Sequence, residues 1–267
     1  MGWRVAIVGL ALGLGSCAPA AKEDTRVPAQ AGGTVSGPAL VFRGDGIWDD
    51  EVRALESLLS QQGVAFRDVD SAGLNRLEVD ELAAYRALIW PGVDGEGNAE
   101  RMYASIDPET RGRIRQAVVE RGVGYLGFCA GAFMAVSPEP GPSEYPLFFS
   151  LLLGEPLDYY RLQGVQGGTP TMTLETLAGG RQKDLVWYGG PVTPEIPGGV
   201  VARYPTGEPA ISQAWSGRGL VVVAGVHPAA SAEFREQNAL ADADGLDLDL
   251  AWELLRAVLA REPMPVL

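Results

Sequence analysis

Histidine and cysteine are the scarce residues of this chain, with one histidine and two cysteines among 267 residues. So few nitrogen and sulfur ligands cannot build a zinc tetrad. The carboxylates show none of the spacing of a calcium loop, so no metal is expected. No glycine-rich phosphate loop opens a helix in the required way, and no cofactor is expected. Positive charge is short as well: 21 Lys and Arg stand against 34 Asp and Glu, for a net charge of −13. Nucleic acid is therefore a poor partner, because neutralising phosphates takes a basic surface. There is no internal repeat, and no hydrophobic run reaches the roughly 20 apolar residues needed to span a bilayer.

What the chain does have begins at its amino terminus. Arg4 precedes an apolar stretch from Val5 to Leu14, of the length of a signal-peptide core and too short for a membrane span. Leu14-Gly15-Ser16-Cys17 follows. It resembles the lipobox of bacterial lipoproteins, an aliphatic residue and two small ones before the cysteine that receives diacylglycerol. The resemblance implies that residues 1–16 are a removed signal peptide and that Cys17 carries lipid. Residues 17–38, rich in Ala, Pro, Gly, Ser and Thr, then read as a lipidated, flexible tether. Membrane is the expected partner through Cys17. The expected location is the cell envelope, with Ala18 favouring the outer membrane and a domain facing the periplasm. With Cys17 lipidated, Cys129 has no cysteine left to pair with, although an exported protein could support a disulfide.

From residue 39 the pattern is that of one α/β domain, running to about 262. Ala39–Phe42 reads as a buried strand. Trp48 to Gln62 reads as an amphipathic helix, with Val52, Leu55, Leu58 and Leu59 on one face and Gly63 as its stop. A second strand begins at Val64, a short helix spans Glu81 to Tyr85, and a third strand covers Ala87–Trp90. Asp107-Pro108-Glu109 opens a helix to Arg121. A fourth strand spans Val123–Phe128, with a helical segment from Ala130 to Val136. Strands alternating with helices predict a flavodoxin-like parallel sheet sandwiched by helices. Between 138 and 217, short β-type runs such as Thr171–Leu174 and Val200–Tyr204 predict an antiparallel β excursion. Leu220–Ala224 returns as a buried strand, and Leu250 to Ala260 closes as a helix.

The sharpest chemical feature is Gly127-Phe128-Cys129-Ala130-Gly131 between an apolar strand and a helix. This is the Gly-x-nucleophile-x-Gly elbow with cysteine in the serine position. The glycines make room for a nucleophile in strained dihedrals at a tight turn. The helix start beyond it offers N–H groups and a positive dipole end that favour a thiolate. The lone histidine, His227, sits just past a Val-rich strand, and so does Cys129 past its own. Ligands bind outside such strand ends in parallel sheets, where a cysteine–histidine pair activates a thiol. Gly92, after the third strand, is a candidate oxyanion donor together with the N–H of Ala130. Trp187 and Tyr188 are candidates for lining the pocket.

Pro91-Gly92, the run Gly124 to Ala132, Trp187-Tyr188-Gly189-Gly190-Pro191 and Gly225-Val226-His227-Pro228 occur in this order. Together they resemble the class I glutamine amidotransferase-like superfamily. They are most similar to the domain at the N-terminus of eukaryotic biotin–protein ligases, which also occurs alone in bacteria. The resemblance implies a flavodoxin-like sandwich, Cys129 as nucleophile, His227 as base, and Gly92 and Ala130 around the oxyanion. It also exposes a departure. Amidotransferases carry a glutamate two residues after the histidine, where this chain has Ala229. Losing the acid that orients a catalytic histidine costs a serine protease about 10⁴-fold in turnover. Asp45 and Glu233 are candidate substitutes.

Three functions remain open on the sequence. The first is an exported cysteine hydrolase acting on an amide or related acyl bond, with an unknown small molecule or peptide as ligand. The second is a non-catalytic binding module of the same fold, for which Ala229 is the support and a thiol of ordinary reactivity the expectation. The third is a glyoxalase- or peptidase-like site in which Asp45 contacts the cysteine.

Overall fold

The structure is a computed structural model and describes residues 37–95, 97–162, 165 and 168–267. The expected signal peptide, Cys17 and nearly all of the expected tether lie outside the described residues. No described helix is long and apolar enough to cross a membrane.

The chain opens with β1 (Ala39–Phe42), α1 (Asp49–Gln61), β2 (Phe66–Val69), two single turns α2 (Ser71–Leu74) and α3 (Val79–Leu82), and β3 (Ala87–Trp90). Next come α4 (Asn98–Ala104), α5 (Pro108–Val119), β4 (Gly124–Phe128), α6 (Ala130–Ala135) and a small ladder of β5 (Val136–Ser137) with β6 (Leu152–Leu153). The remainder is β7 (Thr171–Leu177), β8 (Gln182–Trp187), β9 (Val200–Arg203), β10 (Pro209–Ser216), β11 (Gly219–Ala224), α7 (Ala232–Gln237) and α8 (Leu248–Ala260).

One nine-stranded sheet runs in the order β2-β1-β3-β4-β11-β10-β9-β7-β8. From β2 to β11 every pairing is parallel. This is the flavodoxin-like order, with β11 in the fifth place. From β11 to β8 every pairing is antiparallel. The predicted excursion is therefore not a separate unit: it returns to the same sheet and extends it.

Side-chain alternation along the strands decides which helices go where. Ala39, Val41, Ala87, Ile89, Leu126, Phe128, Val222 and Ala224 share a core with the apolar faces of α1 and α8. Their neighbours Leu40, Phe42, Leu88, Trp90, Tyr125, Val221 and Val223 face the other way, onto Ile114, Ala117 and Val118 of α5 and onto Met134 of α6. Both faces of the parallel half are covered, and its strands accordingly read as unbroken apolar runs. The packed chain also continues past the boundary expected at 262. Gln213 donates to the Met264 carbonyl at 2.7 Å and accepts the Met264 N–H at 2.8 Å, and the Leu267 N–H reaches the Val200 carbonyl.

Candidate active site

Cys129 joins β4 to α6 with φ 47° and ψ −104°. That is far from any favoured basin of an L-residue, a strain of about 1–3 kcal/mol that packing must hold. The clamp is visible on both sides. A Cβ at Gly127 would lie 2.4 Å from the Gly131 carbonyl oxygen, and one at Gly131 would lie 2.4 Å from that of Trp90. The Cys129 N–H donates to the Ala224 carbonyl of β11 at 2.7 Å, tying the elbow to the strand that leads to His227. The thiol is buried and donates to the Tyr188 carbonyl at 3.6 Å. Ala130 is the first residue of α6, so its N–H has no partner within the helix.

His227 lies past β11, the parallel neighbour of β4, and is fully buried. Its backbone N–H is held by the Val186 carbonyl at 2.8 Å. The Trp48 indole meets the imidazole edge-on at a centroid distance of 5.2 Å. The imidazole Nδ1 bonds Glu51 Oε1 at 2.9 Å, and the other carboxylate oxygen accepts the Gly92 N–H at 2.6 Å. Glu51 is fully buried in the first turn of α1, where free helix N–H groups favour a carboxylate. The acid that orients the histidine is thus Glu51, which the sequence did not single out.

This arrangement fixes the electrostatics. Burial on its own would depress the imidazole pKa. The charge of Glu51, the adjacent Cys129 side chain and the hydrogen bond with Glu51 outweigh it and raise the value to about 10. With Nδ1 taken by Glu51, the ring's Nε2 is buried without another hydrogen-bond partner among the described residues. The Cys129 thiol is the group left for it.

The other candidates fall out as follows. Gly92 is at the site, in the space between the pair: a Cβ there would lie 2.4 Å from His227 Cε1 and 3.2 Å from Cys129 Cβ. Its N–H, however, is spent on Glu51, so the expected role as an oxyanion donor is corrected to one of positioning the acid. Asp45 is exposed, its backbone N–H held by Ser71, and Glu233 is exposed on α7 beside Gln237. Neither has a hydrogen bond to His227 or Cys129 among the described residues. Ala229 is buried among apolar groups, where a carboxylate would be desolvated without need. Trp187 is corrected from pocket to core: it is buried against Tyr160 and its indole N–H is satisfied by the Gly190 carbonyl. Tyr188 does line the cavity, and its ring stands near Trp48 and Phe234.

That cavity, of about 500 Å³, opens directly beside Cys129. Val93, Ala99, Glu100, Phe133, Tyr159 and Tyr188 are among the side chains around it. No cluster of His, Cys, Asp and Glu among the described residues could hold a metal ion.

No family model matches the chain, and no curated protein does. Solved structures do. PurLQS from Thermotoga maritima is 15% identical, with a TM-score of 0.53 over 82% of this chain and 97% of that one. A cytoplasmic protein from Salmonella typhimurium is 14% identical, with a TM-score of 0.52 over 83% of this chain and 98% of that one. A glutamine amidotransferase is 19% identical, with a TM-score of 0.48 over 76% of this chain and 100% of that one. The matches with PurLQS and the cytoplasmic protein agree with the flavodoxin-like α/β sheet described above. At these identities the likeness speaks for the fold alone.

Proposed function

We propose that this chain is a cysteine-nucleophile hydrolase that cleaves an amide or related acyl bond. The observation that carries the reading is the buried relay from Glu51 through His227 to Cys129, on an amidotransferase-like fold and beside an open cavity. With its pKa near 10, the imidazole already holds the thiol proton at neutral pH, and Glu51 orients and supports that imidazolium. The Cys129 sulfur adds to the substrate carbonyl, and the developing oxyanion falls to the Ala130 N–H at the start of α6. The imidazolium then protonates the departing amine. Water, activated by the same imidazole, releases the acyl group from the sulfur and restores the thiol.

The binding-module reading rested on Ala229, and Glu51 removes that support by supplying the acid from another segment. Motif order supports a finer placing beside the domain found at the N-terminus of biotin–protein ligases. The lipobox-like Leu14-Gly15-Ser16-Cys17 supports export and lipid attachment in the cell envelope; the mass of the N-terminal peptide from the bacterial protein tests it. The hydrolase reading is tested by ammonia and amine release from a panel of primary amides and short peptides. The wild-type chain should turn over at least one class, and Cys129→Ala should abolish that turnover. Undiminished release by the variant would sink the reading.

A further inference from the structure

The cavity beside Cys129 has a charge pattern that bears on what enters it. Among the described residues that line it, Glu100, on α4, is the only charged one, and none of them is a lysine or arginine. Among the described residues Glu100 has no hydrogen-bond or ion-pair partner. The nearest cation in sequence, Arg101, bonds Asn98 and does not line the cavity. Asp94 stands outside the cavity lining and adds no cation. Aromatic rings line the same cavity. Tyr159 packs on Phe133 at a centroid distance of 4.9 Å, and both line the cavity with Cys129 and Tyr188. The Tyr159 phenol is raised by burial and then by the charges of Cys129 and Glu100, which places it within reach of both groups.

A carboxylate and aromatic rings in one cavity are the chemistry that holds an ammonium group, by ion pairing and by cation–π attraction. The same wall offers nothing to a substrate carboxylate. Resting on the hydrolase reading for the bond that is cleaved, we propose that the pocket selects an amide or acyl compound bearing a protonated amine, with Glu100 as the specificity-determining residue and Tyr159 as its aromatic partner. An amide that presents a carboxylate to this wall is disfavoured. A peptide or polyamine-type amide with a primary ammonium a few bonds from the carbonyl is favoured.

The test reads the pocket without needing the substrate. The full chain is treated with 2-aminoethyl methanethiosulfonate, a cation, and with its 2-sulfonatoethyl counterpart, an anion. In each, the Cys129 thiolate forms a disulfide with the reagent's sulfenyl sulfur and expels methanesulfinate. Labelling is followed on the Cys129 peptide by mass spectrometry, and each rate is divided by that for a small free thiol. The cationic reagent should be favoured by about five- to tenfold at low salt, a preference that shrinks as salt screens the exposed carboxylate. Glu100→Gln should remove most of it, Glu100→Asp should keep part, and Tyr159→Leu should reduce it. An equal ratio in wild type and Glu100→Gln, or an anionic preference in wild type, overturns the proposal. Because labelling needs only a reactive thiol, a chain that selects the cation yet hydrolyses no amide would fail the hydrolase reading and leave the selectivity standing.

Discussion

The two halves of the sheet each bury a glutamate completely, and the two glutamates live differently. In the parallel half Glu51 receives an imidazole and a backbone N–H, one on each oxygen. In the antiparallel half Glu175 of β7 has the Thr173 hydroxyl on one oxygen, and its other oxygen has no hydrogen-bond partner among the described residues. Burial raises the Glu175 carboxyl to about 9, and its cross-strand neighbour Lys183 is engaged with Asp244, Asp247 and Asp249 instead. At equal burial, neighbours and not depth decide how fully a carboxyl group is satisfied. Strand direction explains where each neighbour set arises. Parallel strands put all their carboxyl ends on one edge, so the segments after β1, β3, β4 and β11 deliver Glu51, Gly92, Cys129 and His227 to a single place. Antiparallel strands alternate, and of β7 to β10 only β8 runs directly into the site, at Tyr188.

Breaking the Glu51 side of this comparison should have the largest effect. Glu51→Gln keeps the shape and removes the charge, and turnover on any amide found by the panel should fall about 10³–10⁴-fold. A loss under tenfold would show that His227 works without its acid. Next comes Gly92→Ala, whose new methyl must displace the imidazole. It should lower turnover by roughly 10²-fold and slow Cys129 alkylation at pH 7; an unchanged alkylation rate would mean that the loop yields.

The Glu175 side should leave turnover alone and move stability. A carboxyl whose folded pKa is raised contributes stability below its unfolded value, near 4.5, and loses it as pH climbs through the folded value of about 9. Glu175→Gln should therefore be more stable than wild type at pH 9, by roughly 2–4 kcal/mol. The advantage should disappear near pH 5, as read by urea melts at both pH values. His227 is raised as well, so its contribution also fades as pH climbs from about 6.5 through about 10; the difference between variant and wild type isolates Glu175. The smallest effects belong to Asp45→Asn and Glu233→Gln, which should stay within about twofold of wild type in turnover, as expected of exposed carboxylates outside the site.

What the sequence revealed follows from how local each signal is. The elbow around Cys129 and the strand before His227 are contiguous in the chain, and the parallel strands are near-continuous apolar runs. Those elements could be read within a residue or two of their ends. β8 and β10 carry polar residues such as Gln182, Lys183, Ser212 and Gln213 among the apolar ones, and α4 has only Met102 as a buried anchor. Their periodicity is too weak to announce them. Glu51 was hidden for another reason. Asp49, Asp50 and Glu51 together look like the usual acidic first turn of a helix. Its position was the available clue: Glu51 precedes Leu55 by four residues and Leu58 by seven, which puts a carboxylate on the buried stripe of α1.

Glu51 and His227 are 176 residues apart in the chain. The strands that deliver them are separated in the sheet by β3 and β4, and β11 is the last strand to be made. Contacts of such long range form late, because the loop between them must close first. The nucleophile consequently acquires its oriented base only when the final strand has joined the sheet. A nascent or half-folded chain carries an unarmed thiol, and reactivity itself becomes a sign that folding is complete.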